Sequence, residues 1–169
     1  MHILNYQNRF LKFLMQFIRG YNHEKYWKRR SIVIDPDNHT SILLKLYYLY
    51  YIKKTDAKFG CSFGTNLNSG SYFETPPQLP HGPYGIIVGH KWKIGKNCII
   101  FHQVTLGNGG IIGDNVLFSA GSKVLGDLVI GNNAKIGSNA VVIQDIPDNA
   151  TVVLNKPRII IRSNNTNNE

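Results

Sequence analysis

The sequence predicts a mainly β chain: a parallel β-helix of hexapeptide repeats preceded by an N-terminal α-helical segment. The first observation behind this is a six-residue register that runs through residues 88–147 without a slip. Its first position is always apolar: Val88, Ile94, Ile100, Leu106, Ile112, Phe118, Val124, Ile130, Ile136 and Val142. A period of six drifts around a 3.6-residue helical turn, and a simple alternating strand would expose half of these anchors. The second observation is the grammar inside each hexad. Gly recurs at the second position, and small or β-branched residues such as Cys98, Val104, Val116, Ala134 and Ala140 recur at the fifth. Short flat strands joined by corners satisfy both, with the first residue pointing inward and Gly taking the corner angles that other residues resist. The third is a change of period upstream, where apolar residues recur at three- and four-residue steps.

In chain order, Phe10, Phe13, Leu14, Phe17 and Ile18 predict an amphipathic helix over residues 5–19, stopped by Gly20. Residues 21–30 are charged and aromatic, and Lys28, Arg29 and Arg30 read either as a phosphate grip or as a solvated face. Residues 31–35 form a short β-branched stretch ended by Pro36. A second helix is expected to start near residues 38–41, which offer capping side chains, with Ile42, Leu43, Leu46, Leu49 and Tyr50 on its apolar face. These helices are expected to pack on an end or flank of the solenoid; an alternative is a membrane-surface anchor using Tyr47, Tyr48, Tyr50 and Tyr51. Pro76, Pro77, Pro80 and Pro83 break the register over residues 63–87, and broken coils at a solenoid mouth are where sites tend to form. The organisation read from this is a helical segment over 1–62, a solenoid over 63–162, and a polar, disordered tail over 163–169.

Lys plus Arg number 19 against 10 Asp plus Glu, which favours an anionic partner. No helix-turn-helix, zinc or RNA-binding signature points to nucleic acid. Two cysteines are too few for a disulfide framework, the start lacks the order of a signal peptide, and the most apolar run, residues 42–52, is too short to span a membrane. The expectation is a cytoplasmic protein without stable membrane insertion.

Four stretches carry a family resemblance: LPHGPYGIIVG, HQVTLGN, SAGSKVLGDLVIGNNAKIGSN and the ATVV that follows. Together with the hexads they resemble the hexapeptide-repeat acyltransferases, in the branch of serine acetyltransferases and their polysaccharide-modifying relatives. The resemblance covers residues 63–162. It implies a left-handed parallel β-helix with three hexads per turn, a homotrimer with sites between subunits, acetyl-CoA as co-substrate, and no metal.

Acyl transfer from a thioester to a hydroxyl needs a base, an oxyanion donor and a groove that aligns both substrates. His81, on a Pro- and Gly-shaped turn just before the regular coils, is the candidate general base. The family's orienting Asp falls on Asn66, which still accepts a hydrogen bond but brings no charge, so Glu74 is an alternative partner. His102, Tyr84 and Trp92 are the acceptor-side candidates. His102 points outward and would face the His81 coil of a neighbouring subunit. By resemblance Gly107 or Asn108 lies near the thioester, Ala120 and Ser138 contact the pantetheine, and Lys123, Lys135, Lys156 and Arg158 approach the coenzyme A phosphates. The turn after Leu106 lacks the loop with adjacent Arg and His that holds an amino-acid substrate in the serine enzymes. The acceptor expected from this is therefore a sugar or glycan-precursor hydroxyl, in polysaccharide biosynthesis. The alternatives are serine O-acetylation, for cysteine biosynthesis, and a non-catalytic interaction module.

Overall fold

The computed structural model describes residues 18, 20–155 and 159. The helix expected over 5–19, the tail and the cations Lys156 and Arg158 therefore lie almost wholly outside the described residues.

From Ser62 onward the chain winds as a three-sided parallel solenoid. One face stacks β1 (Ser62–Phe63), β5 (Ile87–Val88), β8 (Thr105–Leu106), β11 (Lys123–Val124) and β14 (Val141–Val142). The second stacks β4 (Tyr72–Phe73), β6 (Lys91–Ile94), β9 (Gly109–Ile112) and β12 (Asp127–Ile130). The third stacks β7 (Ile99–Ile100), β10 (Leu117–Phe118), β13 (Lys135–Ile136) and β15 (Thr151–Val152). This is the left-handed β-helix of hexapeptide repeats. Each first-position residue meets its equivalent one coil away, as Val124 meets Leu106 and Val142. Phe63, Val88, Ile94, Ile100, Leu106, Ile112, Phe118, Val124, Ile130 and Ile136 fill the axis, all buried. Burying an aliphatic or aromatic side chain of this size contributes roughly 1.5–3 kcal/mol, so the row of anchors dominates the stability of the solenoid.

The corners differ from the sequence expectation. The second-position glycines are required by space rather than by backbone angle: a Cβ on Gly89 would stand 1.9 Å from the Gly107 carbonyl oxygen, and one on Gly95 2.3 Å from Asp114. The left-handed backbone falls at the fourth position instead, on Asn97, Gln103, Asn115, Gly121, Asn133 and Asn139. Asn tolerates that region better than other non-glycine residues. At one corner Asn97, Asn115, Asn133 and Asn149 also form a ladder, each amide donating to the next at 3.3, 3.1 and 3.0 Å. Beside it a second ladder runs from backbone N–H to side chain: Lys96 to Asp114, Asp114 to Asn132, and Asn132 to Asp148.

Trp92 is a second correction. It was expected to line an acceptor groove, because a tryptophan at a small fifth position has no room inside. Its ring is in fact 1 % exposed. The room comes from Gly110, its register partner on the next coil, and the indole Nε1 donates to the Gly107 carbonyl at 3.1 Å.

Two helices flank the first coil. Helix α1 (His23–Ile34) begins at Asn22, whose side chain accepts from the Lys25 N–H, and it absorbs the β-branched stretch before Pro36. Its inward row is Tyr26, Trp27, Arg30 and Val33. Arg30 is no phosphate grip: at 1 % exposure it donates to the carbonyls of Phe63 and Ser71 and to Thr65 Oγ1, clamping the helix to the coil. Burial lowers its pKa to about 10. Helix α2 (Ile42–Phe59) ends on Gly60 in the left-handed conformation. Most of its expected apolar face is turned outward, with Leu43 77 % and Tyr50 63 % exposed, and of that face Leu49 alone packs against the core. The helix packs through Lys45, Ile52, Asp56 and Phe59, because Lys45 reaches the Asp35 carbonyl and Asn68, and Asp56 accepts from the Tyr26 hydroxyl at 2.6 Å. No described helix is long and apolar enough to cross a membrane.

Candidate active site

The first coil is longer than the others, and that extra length builds the site. From β4 onward it pairs with the next coil in steps of 21 residues, as Tyr72 with Lys93 and Gln78 with Ile99, and β1 pairs at a longer step still, Ser62 with Ile87, where regular coils step by 18. Between Gln78 and β5 the surplus bulges out as a turn carrying His81. Gly82 and Gly85 both take positive φ there, which a Cβ would strain. The turn is pinned from two sides: the Gly85 N–H donates to the Phe59 carbonyl at the end of α2, and Tyr84 accepts from the Gln103 N–H at 2.9 Å. Phe59 and Tyr84 also meet edge to face at 5.0 Å.

His81 is exposed at the rim of an open hollow of about 350 Å³, lined by Phe59, Tyr84, Gly85, His102 and Gln103. Its Nδ1 lies 3.1 Å from Nδ1 of His102, and the Phe101 ring stands nearly perpendicular to the imidazole with centroids 5.4 Å apart. The structure thus joins His81, His102 and Tyr84 within one chain, with no neighbouring subunit needed to bring His102 to His81. It does not bring Asn66 to them: Asn66 pairs with Ser69 in a small hairpin of Thr65–Asn66 and Ser69–Gly70. Glu74 is engaged elsewhere, with Lys96 at 2.9 Å. Phe59 and Gln103 are lining residues that the sequence reading missed. Gln103 carried a signal, since it stands at the fourth hexad position, where the other left-handed corners of the coils carry Asn or Gly.

Farther along the solenoid, the Gly107 N–H is committed to the Val124 carbonyl at 2.7 Å, and the Ala120 carbonyl accepts from Asn139. Asn108, Lys123, Lys135 and Ser138 are exposed, and the Lys123 ammonium donates to the Gly121 carbonyl at 3.2 Å. Cys98 is buried at a fifth position, where loss of water raises its thiol pKa to about 11; both Cys98 and Cys61 are free thiols. Among the described residues no group of three or more His, Cys, Asp or Glu side chains is arranged to hold a metal ion.

Residues 109–144 match the bacterial transferase hexapeptide (six repeats) family. A serine acetyltransferase of Bacillus pumilus is 33 % identical over 127 residues, covering 70 % of this chain and 57 % of the relative. One from Staphylococcus aureus is 40 % identical over 98 residues, covering 53 % and 46 %. The chain carries a serine acetyltransferase-like hexapeptide-repeat domain. A solved serine acetyltransferase in complex with CoA superposes with a TM-score of 0.54 at 28 % identity, over 63 % of this chain and 44 % of that one. The chain spans about half the length of the curated relatives it matches.

These relatives overturn the sugar or glycan-precursor hydroxyl and the polysaccharide role expected from the sequence. That expectation rested on a missing loop after Leu106. The serine acetyltransferase-like match holds without it, because loop length at a solenoid corner varies freely while the coils beneath are kept.

Proposed function

We propose that the protein is an acetyl-CoA-dependent serine O-acetyltransferase with His81 as its general base. The observation that carries this reading is the exposed His81 imidazole, held at Nδ1 by His102 over a hollow at the mouth of a serine acetyltransferase-like solenoid. His81 Nε2 takes the proton of the serine hydroxyl as the oxygen attacks the thioester carbonyl carbon. The new C–O bond forms, the tetrahedral adduct collapses with cleavage of the C–S bond, and His81 returns the proton to the departing thiolate, releasing coenzyme A and O-acetylserine.

In this reading Asn108 is the better candidate for the oxyanion, since the Gly107 N–H is already bonded within the solenoid. Ala120 and Ser138 contact the pantetheine arm. Lys123 and Lys135 approach the phosphates; Lys156 and Arg158, the other cations assigned to them by resemblance, lie outside the described residues. The active form is a homotrimer with the thioester in the seam between protomers. Exposed Leu125, Val141 and Ile143 on the solenoid flank supply apolar surface for that contact.

The test is release of free coenzyme A from acetyl-CoA with L-serine or with a panel of sugars, paired with His81→Ala. Serine-dependent release is expected, and loss of the base should lower turnover by roughly 10²- to 10⁴-fold with the fold intact. Near-normal turnover of the variant, or no release with serine, overturns the proposal.

A further inference from the structure

We infer that His102 is the positioning residue of this site: it accepts the Nδ1 proton of His81 and thereby fixes the tautomer that leaves His81 Nε2 unprotonated. The inference rests on the reading of His81 as base.

The geometry is that of a hydrogen bond and not of face-to-face stacking. The two rings lie within 20° of parallel with centroids 5.1 Å apart, while their Nδ1 atoms are 3.1 Å apart. The centroid separation exceeds the nitrogen separation by nearly two ring radii, so both nitrogens lie close to the line between ring centres. Each therefore directs its in-plane lone pair or N–H at the other. Two N–H groups would collide, so the contact holds a single proton, and which ring donates decides the chemistry. If His102 donated, His81 would carry its proton on Nε2 and could not act as a base there. If His81 donates, Nε2 is free to take the hydroxyl proton, and the imidazolium that results keeps a charge-assisted bond to His102.

The surroundings leave this role to His102. The hollow is lined by Phe59, Tyr84, Gly85 and Gln103, with no carboxylate among them; Tyr84 is the one other titratable lining group. Glu74 is paired with Lys96, and Asn66 lies in the Thr65–Asn66 and Ser69–Gly70 hairpin with no hydrogen bond to either imidazole among the described residues. The His102 backbone is itself held, since its carbonyl accepts from the Gly121 N–H at 3.1 Å and Gln103 beside it sits at φ 58°. A left-handed glutamine is a strained choice, and strain of this kind persists where the surrounding structure over-determines it.

The test combines nitrogen-15 NMR of the histidine side chains with kinetics on wild type, His102→Ala, His102→Gln and His102→Glu. Wild-type His81 is expected to be protonated at Nδ1, and His102→Ala to return it to the Nε2–H form that free histidine prefers. Serine-dependent turnover should fall about 10- to 100-fold in His102→Ala, the range seen when a partner that orients a functional histidine is removed, with KM for acetyl-CoA unchanged. His102→Gln, which keeps an acceptor oxygen, should recover most of it. His102→Glu should move the acid limb of kcat/KM to higher pH, because a carboxylate favours the imidazolium. A wild-type His81 protonated at Nε2, or a tautomer and pH profile unmoved by His102→Ala, overturns the inference. The expected tautomer shift without serine-dependent turnover would support the pairing and refute the acceptor.

Discussion

Single residues in this solenoid are specified by the coil above or below as much as by their own hexad. Gly110 shows the consequence. At φ +131°, a Cβ there would stand 2.1 Å from the Leu128 carbonyl oxygen and 2.9 Å from the Trp92 ring. Backbone oxygen cannot swing aside, so Gly110→Ala is expected to cost at least about 1–3 kcal/mol, as overpacking a filled core does, read as a lower urea midpoint without a change in slope. The same dependence explains what the sequence hid. Trp92 looked misplaced because its hexad was judged alone, whereas the compensating glycine lies 18 residues on, in the next coil. His81 and His102 were both legible as candidates but not as partners. Their pairing follows from the 21-residue step of the first coil, which needs the strand register to be known.

At the scale of elements, the hexad strands were readable because a six-residue period has no competing explanation. Corner chemistry was not, because Gly and Asn both mark turns and only the backbone angles tell their reasons apart. Asn133 separates the two contributions at one corner. It sits at φ 57°, accepts from Asn115 and donates to Asn149. Asn133→Gly and Asn133→Ala remove the same ladder bonds, but alanine adds about 1–2 kcal/mol of left-handed strain. Glycine's looser unfolded chain costs only about 0.4–1 kcal/mol relative to alanine. The strain is the larger, so Asn133→Ala should be the less stable variant, by up to about 1.5 kcal/mol, in parallel thermal or urea unfolding; the reverse order would assign the corner to side-chain bonding alone. The helices were the least legible elements. Sequence periodicity put the apolar side of α2 inward, yet the side that packs carries Lys45 and Asp56, whose suitability for burial depends on Asp35, Asn68 and Tyr26 in other segments.

Across the whole molecule these buried polar groups set how stability depends on pH. Loss of water raises the Asp56 pKa above the carboxylate norm of about 3.9, only partly offset by the Tyr26 hydroxyl. A raised acid is stabilising relative to its ionised form below the unfolded value, and that contribution fades as pH climbs through the folded value. His23 has the opposite sense. Burial lowers its pKa below about 6.5, so its contribution is present at neutral pH and is lost as pH falls through the folded value. Where the two windows meet the slopes oppose each other, so in the wild type each group masks part of the other's pH dependence. Asp56→Asn keeps an oxygen for the Tyr26 hydroxyl but cannot titrate, so it should expose the His23 slope: a urea midpoint that declines from pH 7 toward pH 4 more steeply than in wild type. A parallel decline in both proteins would show that Asp56 is ionised at little cost in the folded state. The helical cap would then tolerate that charge through the neighbouring Arg30 and Lys53, which both favour ionisation, and the clamp of α1 on the first coil would owe its pH dependence to groups other than this carboxylate.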